Sequence, residues 1–229
     1  MKTVVITGAN RGIGLEFVRQ YQEEGWKVIA GCRSPESAAE LNKLQAKGNL
    51  TVLPVDVSNN VSRRNFSKAI GDQAIHLFIN NAGIYGPKTA LLGNIDEEAW
   101  LDVFRVNTIA PLKMVELFHQ NLMAAESSTV AILSSKMGSI DDNGSGGVYI
   151  YRSSKAAVNA VAKSLAIDLE SDQIKVVALH PGWVQTEMGG PDALIDTRTS
   201  VGGMRRVIKQ LTKGQSGSFI SYDGTLIPW

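Results

Sequence analysis

Cysteine occurs once in the 229 residues, at Cys32, which excludes an internal disulfide and any cysteine-cluster metal site. Such a chain fits a reducing cytoplasm. Three histidines, His76, His119 and His180, stand too far apart to form a metal-binding sequence motif, so no metal is expected. Net charge is almost absent: 23 Lys and Arg against 22 Asp and Glu leave +1, with no basic footprint for nucleic acid or anionic lipid. The pairs Arg63-Arg64 and Arg205-Arg206 read as solvated helix faces. No uncharged apolar stretch reaches the length of a membrane span, and the apolar run after Met1 is too short for a signal peptide. A soluble cytoplasmic protein is expected, with neither nucleic acid nor membrane insertion among its partners.

What is present is an ordinary globular composition, 44% hydrophobic and 20% charged, with an excess of glycine, 22 in all. Short apolar runs rich in β-branched residues alternate with longer stretches of helical periodicity, the pattern of a parallel sheet covered on both faces. The runs predict strands at Thr3 to Thr7, Lys27 to Gly31, Thr51 to Val55, Ile75 to Asn80, Thr129 to Ser134, Ile174 to His180 and Ser218 to Ser221. Between them the periodicity predicts helices near 12 to 24, 35 to 46, 58 to 70, 96 to 125 with a break around Asn107 to Pro111, 147 to 171 and 199 to 212. No repeat or linker interrupts the alternation, so residues 1–229 read as one α/β domain, a doubly wound Rossmann-like fold with a mostly parallel, seven-stranded sheet. The least regular stretches, Gly138 to Gly147 and Thr186 to Thr199, both follow strand ends, where ligands of such sheets bind.

The first strand runs into Thr7-Gly8-Ala9-Asn10-Arg11-Gly12-Ile13-Gly14 and directly into a helix. Missing β-carbons let the turn close and let a pyrophosphate approach the backbone, while free N–H groups and the positive helix end favour the anion. Residues Gly8, Asn10, Arg11, Gly12, Ile13 and Gly14 are therefore candidates for holding a dinucleotide. Enzymes selective for NAD usually carry an acid at the end of strand two. Here the segment reads Ile29-Ala30-Gly31-Cys32-Arg33-Ser34, without an acid. Arg33, with Arg11, suits the 2′-phosphate of NADP, so NADP(H) is the expected cofactor and NAD(H) the alternative.

The spacing Gly8-x-x-x-Gly12-x-Gly14 resembles that of the short-chain dehydrogenase/reductase family. Further matches follow in order: Asp56-Val57, Asn80-Asn81-Ala82-Gly83, Asn107, Ser134-Ser135, Tyr151-x-x-x-Lys155 and Pro181-Gly182. They span essentially the whole chain. Within the family, Met137-Gly138-Ser139-Ile140, Gly146 to Arg152, His180 to Gly190 and Tyr222 to Trp229 resemble the sniffer-type carbonyl reductases and the bacterial C-factor (C-signal) proteins. The resemblance implies that Asp56 and Val57 flank the adenine and that Asn80, Ala82 and Gly83 line the adenosine ribose. It further implies that Lys155 binds the nicotinamide ribose and that Thr186 bonds the carboxamide beside Pro181, Gly182 and Val184. Asn107 would hold a water linking Lys155 to solvent.

Tyr151 and Lys155, four apart in a helical segment, project from one face. An ammonium one turn away and the nicotinamide's positive charge are expected to stabilise the phenolate, and Tyr151 is assigned as general acid in reduction and general base in oxidation. Tyr149 has only Ser153 four residues on and reads as a pocket wall. Ser135 ends strand five, where its hydroxyl is placed to bond the substrate oxygen, although the family's usual gap counted back from Tyr151 lands near Gly138 or Ser139. Trp183, Met188, Tyr85, Met137, Ile140 and Tyr149 are expected to form an apolar cleft for a small hydrophobic carbonyl or alcohol substrate. The primary expectation is NADPH-dependent reduction of an aldehyde or ketone. The alternatives are a dinucleotide-binding signalling or regulatory protein with little turnover, and an NAD-preferring alcohol dehydrogenase. Helices 96 to 125 and 147 to 171 are long enough to pair across a two-fold axis, so a homodimer and a monomer both stay open.

Overall fold

The computed structural model describes residues 1–46 and 48–229. Seven strands, β1 (Thr3–Thr7), β2 (Lys27–Cys32), β3 (Leu50–Pro54), β4 (Leu77–Asn80), β5 (Ser128–Leu133), β6 (Ile174–His180) and β7 (Ser218–Ser221), form one sheet in the order β3-β2-β1-β4-β5-β6-β7. Every neighbouring pair of these seven strands is parallel, as expected of a mostly parallel sheet. Successive strand residues point to opposite faces, which splits the core in two. Val4 and Ile6 face α1 (Gly12–Glu23) and α7 (Thr197–Gln210), whereas Val5 faces α3 (Asn60–Ile70), α5 (Ala110–Met123) and α6 (Tyr149–Asp168). Phe118 of α5 meets Phe78 and Phe66 edge-on at 4.9 and 6.0 Å between ring centres. That geometry adds about 1 kcal/mol per pair beyond burial.

Several boundaries differ from expectation, each for a local reason. Segment 35 to 46 splits into a 3-10 turn at Pro35–Ser37 and a short α2 (Ala39–Gln45). Helix α6 starts at Tyr149 because Gly146, Gly147 and Val148 all have positive φ, at 65, 62 and 49°, outside the right-handed helical region. The predicted break within 96 to 125 is a π-helical turn, Arg105–Ile109, between α4 (Glu97–Phe104) and α5. Pro111, which has no N–H to give, sits in the first turn of α5 just past it. The start of α7 is set by Asp196, whose carboxylate accepts from Thr199 N at 2.7 Å.

The chain leaves β1 toward β2 and β3, then returns to pair β4 on the other side of β1. The carboxyl ends of β1 and β4 therefore flank the point where strand order reverses, the crevice in which such sheets take ligands. No described helix is long and apolar enough to cross a membrane.

Candidate active site

The glycine turn leaves β1 at this crevice, and its glycines do different work. A β-carbon on Gly14 would overlap the Gly8 carbonyl oxygen, and one on Gly8, whose φ is 64°, would sit 2.9 Å from Ala82 Cα. Those two glycines let the turn pack on itself and on the exit of β4. Gly12, at φ 52°, instead faces Thr186, whose Cγ2 would be 3.3 Å from an added β-carbon. The turn and the loop after β6 thus meet across the crevice. Arg11, at the N-cap of α1, offers the first turn no side-chain cap. Its N–H groups and the helix dipole suit a pyrophosphate, so the residues present fit a dinucleotide. The Arg11 guanidinium pairs with Glu187 in the loop after β6.

On α6, Tyr151 is 8% and Lys155 is 5% exposed. Lys155 Nζ donates to Leu133 O at 2.8 Å and lies 5.6 Å from the centre of the Tyr151 ring. Burial pushes the phenol up to about 12, partly opposed by a hydrogen bond from the Ser135 hydroxyl, and the same burial pulls the amine down to about 8. Loss of water is the largest cause and acts against the expected acidification of the phenol; the nicotinamide's positive charge, the other part of that expectation, is not among the causes. Ser135, at the end of β5, is the serine beside the phenol; the Ser139 hydroxyl is bonded instead to Trp229 O at 3.1 Å, and Gly138 packs against the Lys155 backbone. Tyr85 stacks on Tyr151, 4.7 Å between centres and 28° between planes.

Asn107 lies in the π-helical turn, a distortion frequent at functional positions. Its amide is fully engaged: Oδ1 accepts from Ile84 N at 2.9 Å, while Nδ2 donates to Ile84 O at 2.8 Å and Ser154 Oγ at 3.1 Å. It ties the segment after β4 to α6. Asn80 points into the protein, Nδ2 to Pro111 O at 3.4 Å, while Ala82 and Gly83 lie along the crevice, an added Gly83 β-carbon standing 3.7 Å from Lys155 Nζ. Asp56 Oδ1 is taken by Ser58 N and Oγ at 2.9 and 2.7 Å, Val57 is buried, and Arg33 is exposed just past β2. Pro181 and Gly182 follow β6, with Gly182 at φ 85° closing on Ile195 and Tyr222. Val184 bridges to Ile195, and the Thr186 hydroxyl accepts from Gly189 N at 3.1 Å.

The residues expected to form an apolar cleft fall into separate groups. Tyr85, Val148, Ile150 and Tyr151 line a cavity of about 50 Å³, whereas Met137, Ile140, Tyr149 and Arg152 line a second of about 240 Å³. Trp183 and Met188 line neither and stay half exposed.

Two organising residues had no role assigned from sequence. Asn81 Nδ2 donates to Thr7 O at 2.8 Å and Gly8 O at 3.0 Å, locking the glycine turn to β4. Asn159, 3% exposed, accepts from Ser134 Oγ at 2.5 Å and donates to Gly138 O at 3.4 Å, bracketing Ser135. A polar residue on the apolar stripe of α6, one turn beyond Lys155, was the available signal for it.

Comparison with known proteins agrees with this geometry. The sequence model described as short chain dehydrogenase matches residues 2–193. The C-signal protein of Myxococcus xanthus is 41% identical over 166 residues, 72% of this chain and 99% of that protein. The crystal structure of NADPH-bound carbonyl reductase from chicken fatty liver superposes with a TM-score of 0.95 at 34% identity, covering 100% of this chain and 99% of that one. The carbonyl reductase Sniffer of D. melanogaster gives 0.94 at 35% identity over 100% of both chains. The whole-chain likeness and the matched sequence model leave one conclusion: the chain belongs to the short-chain dehydrogenase/reductase family and is an NAD(P)-dependent oxidoreductase.

Proposed function

We propose that this protein reduces an aldehyde or ketone with apolar flanks, using NADPH, and that Tyr151 gives the carbonyl oxygen its proton. The reading is carried by one observation: a buried Tyr151 phenol, with Ser135 beside it and the Lys155 ammonium 5.6 Å from its ring, at the mouth of the crevice. When bound, the nicotinamide supplies the hydride that reaches the carbonyl carbon. A phenol held near 12 is protonated at neutral pH, as a proton donor must be. The Ser135 hydroxyl bonds the carbonyl oxygen and holds it for attack. Lys155, about nine-tenths protonated at pH 7 from its value of about 8, faces the phenolate as the proton leaves and binds the nicotinamide ribose hydroxyls. Tyr85 and Ile150 keep water from the phenol.

For the cofactor, the turn from Gly8 to Gly14 takes the pyrophosphate and Arg33 the 2′-phosphate, with Asp56, Val57, Asn80, Ala82 and Gly83 along the adenosine half. Pro181, Gly182, Val184 and Thr186 border the nicotinamide. The NADPH-bound chicken reductase supports the choice of cofactor. Oxidation of NADPH by a panel of aldehydes and ketones, aliphatic and aromatic, tests the assignment: turnover is expected with apolar carbonyls, and no turnover with any of them overturns it.

The likeness to C-signal favours a second reading, a dinucleotide-binding signalling or regulatory protein with little turnover. Full biological activity in a Tyr151→Phe, Lys155→Ala double variant that still binds NADPH would select it.

A further inference from the structure

We infer that Trp229 is a positioning residue for the carbonyl substrate, acting through the segment that follows Ser135; the inference rests on the reductase reading above. The main-chain oxygen of Trp229 gathers three donors from one short stretch: Ile140 N at 2.8 Å, Asp141 N at 3.1 Å and Ser139 Oγ at 3.1 Å. Two neighbouring backbone N–H groups converging on one oxygen fix both the position and the direction of the chain that carries them.

Trp229 is itself held. Its indole stacks on Phe219 of β7, 5.8 Å between centres and 19° between planes, and Phe219 is 1% exposed in the core. Before it, Ile227 N donates to Phe219 O at 2.9 Å and Leu226 forms an antiparallel bridge with Ile220, so residues 226–229 run back along the edge of β7. The edge strand of the sheet is thereby connected, through one aromatic ring and one main-chain oxygen, to Ser139.

From Ser139 the restraint reaches the site within four residues. The 3-10 turn Lys136–Gly138 is all that separates Ser139 from Ser135, and the Ser135 hydroxyl also accepts from Met137 N at 3.2 Å inside that turn. His180 Nδ1 accepts from Lys136 N at 3.2 Å and Asn159 bonds Gly138 O, so the turn is fixed from β6 and α6 as far as Gly138, and Trp229 takes over from Ser139 onward. Ser139 and Ile140, which the Trp229 oxygen holds, also form part of the wall of the 240 Å³ cavity with Met137 and Tyr149. Loosening Trp229 therefore frees Ser139, Ile140 and the cavity wall they form beside the serine that orients the carbonyl, while the glycine turn and Arg33 lie on other strands and keep the cofactor.

Trp229 is 41% exposed but its indole covers Phe219 of the core, so the unfolding free energy of each variant is measured beside its kinetics. Trp229→Ala is expected to lower kcat/KM for the carbonyl about tenfold, mostly through KM, with the Kd for NADPH unchanged, and Trp229→Phe, which keeps a stacking ring, to restore most of the loss. Amide hydrogen exchange at Ile140 and Asp141 should speed up in Trp229→Ala while that of Val130 in β5 stays put. Unchanged exchange, or unchanged carbonyl constants, in an active protein overturns the inference alone. A wild-type protein that reduces no carbonyl overturns the reductase reading and this inference with it.

Discussion

Tyr151 and Lys155 stand one helical turn apart on α6, Nζ 5.6 Å from the ring centre, and burial moves their proton affinities in opposite directions, the phenol up to about 12 and the amine down to about 8. On rising pH the amine loses its proton well before the phenol does. The pair is therefore competent to donate a proton at neutral pH and loses its cation first.

That order sets the pH dependence. Carbonyl reduction should be flat through neutrality and fall on the basic side as Lys155 deprotonates, with a midpoint near 8. A profile of log kcat/KM between about pH 6 and 10 reads it directly. A plateau that persists past the midpoint named would contradict the assigned role of the amine.

The same burial costs stability. Lys155 titrates at about 8 folded against 10.5 free, so the unfolded chain binds the extra proton between those values and stability rises with pH across that window. Below it the full cost is present, about 3 kcal/mol before the bond to Leu133 O is counted. Lys155→Met gives up that bond, worth about 1 kcal/mol, and should still come out about 1–2 kcal/mol more stable at pH 7 while losing activity. Urea unfolding at pH 7 checks it, and a destabilised Lys155→Met would contradict the burial argument.

Charge should decide between nucleotides at Arg33 more than at Arg11, because the Arg11 guanidinium already has Glu187 as a partner. Arg33→Ser is expected to weaken NADPH about tenfold and leave NADH unchanged, with Arg11→Ser smaller in effect. Fluorescence titration of both nucleotides on both variants measures this; equal losses for NADH and NADPH would remove the phosphate from Arg33.

The two kinds of glycine in the turn should separate by phenotype. Gly14→Ala drives a methyl group into Gly8 O and to 2.5 Å from Asn81 Nδ2, so it should destabilise the fold by about 1–3 kcal/mol. Gly12→Ala, at φ 52° and facing Thr186 across the crevice, should cost about 1–2 kcal/mol of backbone strain and in addition weaken NADPH binding, which Gly14→Ala should affect only through the fold. Unfolding curves and titrations on the two proteins distinguish them, and identical behaviour would deny the division.

Much of this was legible because it is local. Short apolar runs rich in β-branched residues mark the seven strands to within a residue or two, and the strand-to-helix glycine turn marks the crevice. The four-residue spacing of Tyr151 and Lys155 placed both on one helix face. What sequence concealed is non-local. The direction of the phenol's shift is set by its burial, with Tyr85 a smaller contribution, and local spacing reports neither. Arg11 meets Glu187 across 176 positions, and Ser139 meets Trp229 across 90. The start of α6 was misplaced because three successive positive φ angles, the last at Val148, go against the preference of a β-branched residue.

Single-turnover reduction of an apolar carbonyl by NADPH-loaded Tyr151→Phe is the most direct trial. With the hydroxyl gone and the ring and its stack on Tyr85 kept, the rate should fall by about 10²–10⁴-fold while NADPH binds as tightly as before. Hydride transfer at the wild-type rate in that variant would contradict the assignment of Tyr151 as the proton donor.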